Sequence, residues 1–437
     1  MGRLFRHFSL PYLGLRITTA SAAVASGLIQ TFVLVRVLSP DLFSLFVVVA
    51  ALGLSLWFFD LGISRILFLR LRARHLNGTA DPEIAGQTTA VAWFYAALVL
   101  LGGVICFAVM ALRADTSLRL ALEFGLFFVF CALNLVWFVF RNASIATDTF
   151  VQFETFEALR RVGHIVMMLS LLAGVSMLAF VIAANALWLV LIVLLARRLV
   201  QKDALSPELR GIPRRLATFF RENRANVLRS GSFAASELYI YNFPYYVVPA
   251  FFGLGAPTII LDTTFKIFRG AGLIYAVGCD IAVPRQTRAY AEGDTVTLTR
   301  VTLQALLLIG VPTAVICTVL FFGADLIFRI LLGGAVTMPK EIGPILIALM
   351  LANMVQNVAT SLLIHTGYFK EMSRIALSLV AAMTLMSVIA VVARLDIVGF
   401  LLAYLAVYLV GAVAFVTLAI RGPLHAPAPV AAPGGAG

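Results

Sequence analysis

Asp262, Lys266 and Arg269 are spaced i, i+4, i+7, so on a helix they share one face. They interrupt a stretch that is otherwise long and apolar. Asp262 and Lys266 can pair and lower the cost of burying each other. No acidic residue lies within one turn of Arg269 in the sequence. A cation held in a wet cavity is what recognition of an anionic headgroup requires. The competing reading is an ion-pair network that ties two helices together.

A second polar face comes from Arg16, Thr19, Ser26 and Gln30, which align on one side of a helix. Such a face cannot sit against lipid. Small polar residues serve equally as contacts between helices or as a cavity wall. A full charge is more than helix contact requires, so Arg16 is expected to face a cavity. Its alternative is to reach the interface from a near-terminal position.

Further along, Glu237 precedes Tyr239, Tyr241, Asn242, Pro244, Tyr245, Tyr246 and Pro249. Two prolines should break the helix, and broken helices mark many transporter sites. The tyrosines fit an interfacial aromatic belt, with stacking on sugar rings as the other reading. Glu237 is deeper and is a candidate to titrate during a transport cycle. Asn353, Gln356, Asn357 and Thr360 form another polar stripe, either lining a cavity or bonding helices. Asp60 stands beside Gly62, where a structural role is expected and ion coupling is the alternative.

No enzyme signature accompanies these residues. The sequence contains no GxSxG, HExxH or P-loop and no paired-cysteine motif. His7, His75, His164, His365 and His425 lack ligand spacing. Cys106, Cys131, Cys279 and Cys317 all lie in apolar runs and read as small core residues. The chain therefore calls for no metal and no cofactor, and we read it as a transporter rather than an enzyme. Energy would come from an ion gradient or from the gradient of the substrate.

The elements that must position these groups follow from composition. Of 437 residues, 62% are hydrophobic and 12% charged, against about 45–50% and about 25% in soluble domains. That excess recurs in stretches near the length of a membrane-spanning helix. The reading is an all-α integral membrane protein of about twelve spans, placed near 11–35, 43–64, 88–112, 120–141, 157–175, 177–196, 228–251, 257–280, 300–322, 343–366, 373–393 and 397–420. Spans five and six share one apolar run, divided only at Gly174-Val175-Ser176.

Charge sets the orientation. The net charge of +12 suggests no nucleic-acid role here, because the cations sit in short loops between apolar runs. With the N-terminus in the cytoplasm, inside segments hold 24 of the 33 Lys and Arg, outside segments six, and spans three. Eleven spans would invert the second half against this bias. Both termini are thus expected in the cytoplasm. No cleavable signal peptide is apparent, since the first apolar run is too long for one.

The organisation expected is a six-helix lobe at 1–196, a cytoplasmic linker at 197–226, a second six-helix lobe at 227–421 and a disordered tail at 422–437. Within the linker, Pro213 to Arg224 reads as an amphipathic helix at the inner interface, with Leu216, Phe219 and Phe220 on one side. Pro40 and Pro257 each open an even-numbered span, 217 residues apart, as parallel repeats would.

Four motifs in order carry a resemblance. Arg36–Phe46 (RVLSPDLFSLF) is similar to the R-x-L-G-P-E-x-Y-G-x-F turn before span two of polysaccharide flippases. Asp60–Ile63 (DLGI) resembles their D-L-G-L. Pro284–Asp294 (PRQTRAYAEGD) resembles their P-x-x-S-R-x-x-A-x-G-D after span eight. Gly333 after Leu331-Leu332 falls at their L-x-G turn. Phe43 and Ser44 depart from the usual Tyr-Gly, and Gln286-Thr287 stand near the usual Ser.

These flippases belong to the multidrug/oligosaccharidyl-lipid/polysaccharide (MOP) superfamily, and the resemblance spans roughly residues 10–420. It implies two six-helix lobes in a V around a cationic cavity, like the MATE transporters. It implies alternating access that moves an undecaprenyl-diphosphate-linked oligosaccharide from the inner to the outer leaflet of a bacterial inner membrane. The product would feed O-antigen, capsule or exopolysaccharide, and a polymerase or glycosyltransferase of the pathway would be a partner. Arg16, Lys266 and Arg269 would sit on cavity-lining helices. Two other readings stay open: a multidrug cation antiporter using Glu237, Asp60 and Asp262, and a membrane subunit of a glycan synthase. A lipid II flippase is disfavoured by twelve spans where fourteen are usual.

Overall fold

The structure, a computed structural model, describes residues 10–77, 81, 83–113 and 116–425. The basic start at Met1 to His7 and tail residues 426–437 lie outside the described residues. Among the described residues every regular element is helical. The chain packs as two compact units, Leu10–Asp262 and the residues from Thr263 onward.

The first unit holds α1 (Leu10–Val37), α2 (Pro40–Ser55), α3 (Ile63–Asn77), α4 (Ile84–Ala111), α5 (Leu118–Ala132), α6 (Asn134–Ala146), α7 (Phe150–Ser170), α8 (Met177–Gln201), α9 (Ile212–Asn242) and the short α10 (Pro244–Val247). α11 (Ala256–Ala291) begins there and continues into the second unit, which adds α12 (Thr295–Leu332), α13 (Ile342–His365), α14 (Phe369–Val392) and α15 (Ile397–Arg421).

Helix starts follow local chemistry. Ser39, Ser176, Asp294 and Asp396 each accept a hydrogen bond from a first-turn amide of α2, α8, α12 and α15. Pro40 opens α2 at a position where its missing N–H costs nothing. Gly174, at φ +88°, ends the turn after α7, and Ser176 then starts α8. Residues 157–175 and 177–196 are therefore separate helices, divided where the sequence placed the turn.

Ten helices among the described residues are long and apolar enough to cross a membrane. The chain is thus a multi-pass membrane protein. These ten match all the expected spans except the fifth and seventh, which fall on α7 and α9. α7 carries Glu154, Glu157, Arg160, Arg161 and His164 along its length. α9 corrects another expectation. The interfacial helix at 213–224 and span seven are one unbroken helix of 31 residues. No proline lies between Pro213 and Pro244, and extending a helix is easier than starting a new one. The break falls instead at the expected prolines. α9 stops at Asn242, α10 starts at Pro244, and a π turn covers Val248–Phe252.

Buried aromatic side chains fill the interior. Phe46 of α2 lies 4.4 Å from Phe124 and 5.0 Å from Phe127 of α5, measured between ring centroids. In the second unit, Tyr404 and Tyr408 of α15 pack against Phe265 and Phe268 of α11.

Candidate functional site

The polar face of α1 meets α7. Arg16 Nη1 donates to Glu154 Oε1 at 2.9 Å, and Thr19 Oγ1 donates to Glu154 Oε2 at 2.7 Å. Two turns further, Ser26 Oγ and His164 Nδ1 share a hydrogen bond of 2.9 Å. His164 packs against the rings of both Phe130 and Phe180, with centroids 4.7 and 6.0 Å away. Thr19, Ser26, Glu154 and His164 are buried. Here the helix-contact reading of Thr19 and Ser26 holds. Arg16 enters the structure as half of an ion pair. Gln30 is half-buried beyond them.

Glu154 was not singled out from sequence. Its neighbours Gln152, Thr155 and Glu157 are polar, so it does not stand out, and the partner is 138 residues away. Beside it, Glu157 receives Arg160, Arg161 and the indole N–H of Trp137, each within 2.8 Å. The Arg160 guanidinium lies 4.3 Å from the centroid of Trp188, a cation–π contact inside the first unit.

The start of α11 is tied to α1 and α10. Asp262 is buried and accepts from Thr31 Oγ1 at 3.2 Å and Tyr245 Oη at 3.5 Å. Tyr245 is itself buried. Tyr246 bonds to Ser55 Oγ and donates to the Ala51 carbonyl at 3.1 Å. Asn242 also donates to Ser55, at 3.3 Å. These two tyrosines therefore serve the packing of the broken helix against α2 and α11. Tyr239 stacks on Phe243 with centroids 4.5 Å apart. Glu237 is half-buried on α9, and no hydrogen bond or ion pair holds it among the described residues.

Asp60 has the structural role expected beside Gly62. Leu61 and Gly62 both take positive φ (42° and 75°), turning the chain into α3. The Asp60 carboxylate accepts from the Ser64 amide at 3.1 Å, from the Ser64 hydroxyl, and from Tyr95 Oη at 2.9 Å. Gly231 of α9 rests on this turn. A Cβ added there would lie 2.9 Å from Leu61 Cβ.

In the second unit, Lys266 and Arg269 are half-buried on α11. The Arg269 guanidinium lies 5.8 Å from the Phe265 ring centroid. From the polar stripe of α13, Asn353 reaches α15. Asn353 Oδ1 accepts from Tyr408 Oη at 2.9 Å and from Asn357 Nδ2 at 2.5 Å. Tyr275 of α11 donates to the Met350 carbonyl at 3.2 Å. Gln356 is buried beside them. Among the described residues, no group of three or more His, Cys, Asp and Glu could hold a metal ion.

No family model matches the sequence, and no curated protein matches it. Solved structures do. The eukaryotic MATE transporter AtDTX14 aligns at a TM-score of 0.63 with 14% identity, over 94% of each chain. The chain has the fold of the MATE transporters. A Vibrio cholerae MATE transporter, VcmN, aligns at 0.61 with 11% identity, over 96% of this chain and 97% of that one. A MOP superfamily transporter from Pyrococcus furiosus, described as having a binding pocket of reversed polarity that suggests a different function, aligns at 0.58 with 13% identity over 94% of each chain. The MATE fold thus extends over nearly the whole length, as the ordered motifs implied. At these identities the likeness is one of fold.

Proposed function

We infer that the chain is a membrane transporter that moves undecaprenyl-diphosphate-linked oligosaccharide repeat units from the inner to the outer leaflet. The product supplies surface polysaccharide, and transport proceeds by alternating access driven by an ion gradient. The observation that carries the reading is the pair Lys266 and Arg269, half-buried on the membrane-crossing helix α11. Cations held in such a helix suit a diphosphate, since charged hydrogen bonds to phosphate are strong. Arg16, in the first unit, is the cationic half of its pair with Glu154. The MATE fold supports transport, and the reversed pocket polarity described for the Pyrococcus furiosus protein offers a precedent for a different function on that fold. The Lys and Arg distribution supports an inner-membrane protein with both termini in the cytoplasm.

A multidrug cation antiporter is the second reading. Glu237 favours it, because a half-buried carboxylate without an ion-pair partner attracts cations. The test is mass spectrometry of lipid-linked oligosaccharides from cells lacking the chain. Complete repeat units that accumulate while surface glycan is lost support the flippase, and Lys266→Gln/Arg269→Gln should reproduce the block with the protein still in the membrane. An unchanged lipid-linked pool with intact glycan and raised drug sensitivity would replace it with the antiporter.

A further inference from the structure

A polar pocket of about 950 Å³ lies in the first unit, between the start of α4, the 203–211 connection and one face of α9. Its α9 wall is made by Arg214, Arg215, Thr218, Arg221 and Glu222, the i, i+4, i+7 face with its neighbours. Arg210 from the connection and Arg74 from α3 complete the basic lining.

The guanidinium groups differ in what already holds them. Arg215 is claimed by Glu208 at 2.9 Å and lies over Gly86, where a Cβ would come within 3.0 Å of it. Arg74 donates to the Asp203 carbonyl at 3.2 Å. Glu222 leans toward Arg70 at 3.7 Å and Gln87 at 3.5 Å. Arg210, Arg214 and Arg221 make no ion pair or hydrogen bond among the described residues. Two carboxylates, Glu83 and Asp203, also line the space without holding an arginine side chain. The first turn of α4 opens onto the same space, and Glu83 gives it no side-chain cap.

We propose that Arg210, Arg214 and Arg221 form a binding site for a phosphate-bearing ligand. Planar guanidinium forks match phosphate oxygens, and three of them from two segments converge on one cavity. The volume is that of an ordinary small-ligand pocket, about 300–1,000 Å³, and exceeds what a single inorganic phosphate needs. Glu83 and Asp203 give the pocket a mixed lining, which favours a ligand whose phosphate is accompanied by hydroxyl or amino groups. The source is either a phospholipid headgroup or a soluble phosphate compound. The site lies wholly within the first unit and does not involve Lys266 or Arg269, so it stands or falls apart from the transport reading.

The test uses the full chain, purified in detergent and in nanodiscs. Inorganic pyrophosphate is titrated while thermal unfolding is followed. Native mass spectrometry then counts phosphatidylglycerol retained from nanodiscs made with and without it. The variants are R214Q/R221Q and, as a control outside the pocket lining, R224Q. Stabilisation by pyrophosphate that weakens about tenfold or more in the double variant, but not in R224Q, supports the site with a soluble source. Retained phosphatidylglycerol that is lost only in the double variant supports it with a lipid source. Equal behaviour of the two variants, or no response to either probe, overturns it. If R214Q/R221Q does not fold, R210Q in the connection repeats the comparison.

Discussion

Arg16 of α1 and Glu154 of α7 face each other at 2.9 Å, with Thr19 bonded to the second carboxylate oxygen. The glutamate side chain is 5% exposed and the arginine 21%. The pair thus anchors one helix against another where water has little access.

Removing one partner should cost more than removing both. Breaking a buried pair from one side costs about 3–5 kcal/mol, because a charge is left uncompensated. The partial exposure of Arg16 places the effect toward the lower end. Arg16→Gln should lower the thermal midpoint in detergent, and Arg16→Gln/Glu154→Gln should recover part of the loss. Strictly additive losses would show that the two charges do not depend on each other.

Asp60 should act through structure and not through ion coupling. Asp60→Ala removes the acceptor for Ser64 and leaves the fully buried Tyr95 hydroxyl without this partner. The expected loss is about 2–3 kcal/mol. Asp60→Asn keeps one acceptor oxygen and should recover most of it. Transport in Asp60→Asn that is abolished while stability is normal would instead reveal a coupling role.

The contact between Gly231 and the turn at Leu61 leaves no room for a methyl group, with Leu61 Cα only 3.0 Å from the added Cβ. Gly231→Ala should therefore destabilise by about 1–3 kcal/mol, as overpacking does. Leu61 sits at φ +42°, a region glycine enters freely. Leu61→Gly in the Gly231→Ala background should regain stability through both space and backbone freedom. Thermal unfolding of the two proteins checks the sign, and a further loss in the double variant would count against this contact.

Asp148, in the connection before α7, is held below the usual carboxylate range by hydrogen bonding from Arg72, with a smaller contribution from His75. Its folded pKa is depressed, so its contribution is present above the unfolded value of about 3.9 and is lost as pH falls through the folded value. Asp148→Asn should lose this contribution at neutral pH, flatten the acid limb below about pH 4 and converge on the parent at the acid end. Asparagine also tolerates the left-handed backbone at this position, where φ is +56°. An unchanged acid limb in the variant would assign the acid sensitivity elsewhere.

Much of the architecture was legible in the residues. Apolar stretches marked the spans, and the turn at Gly174 to Ser176 divided two of them because glycine takes positive φ and serine caps a helix. Asp60-Leu61-Gly62 and Gly293-Asp294 likewise became a turn and a cap. The proline break after Asn242 fell where proline removes a helical donor. These are local rules, and each acts within a few residues.

What the sequence determined by itself was therefore the class of protein, the placing of most helices and the helix faces that carry polar groups. The tertiary structure alone decided what those faces meet. Arg16 finds Glu154 at a separation of 138 residues, and Asp262 finds Thr31 at 231. It also decided that 213–224 continues into span seven, since Phe219 is fully buried and Phe220 packs on Phe94 of α4. The physical reason is the same in each case. A charge or an aromatic face shows in the sequence that it must be satisfied, but distant packing chooses the group that satisfies it.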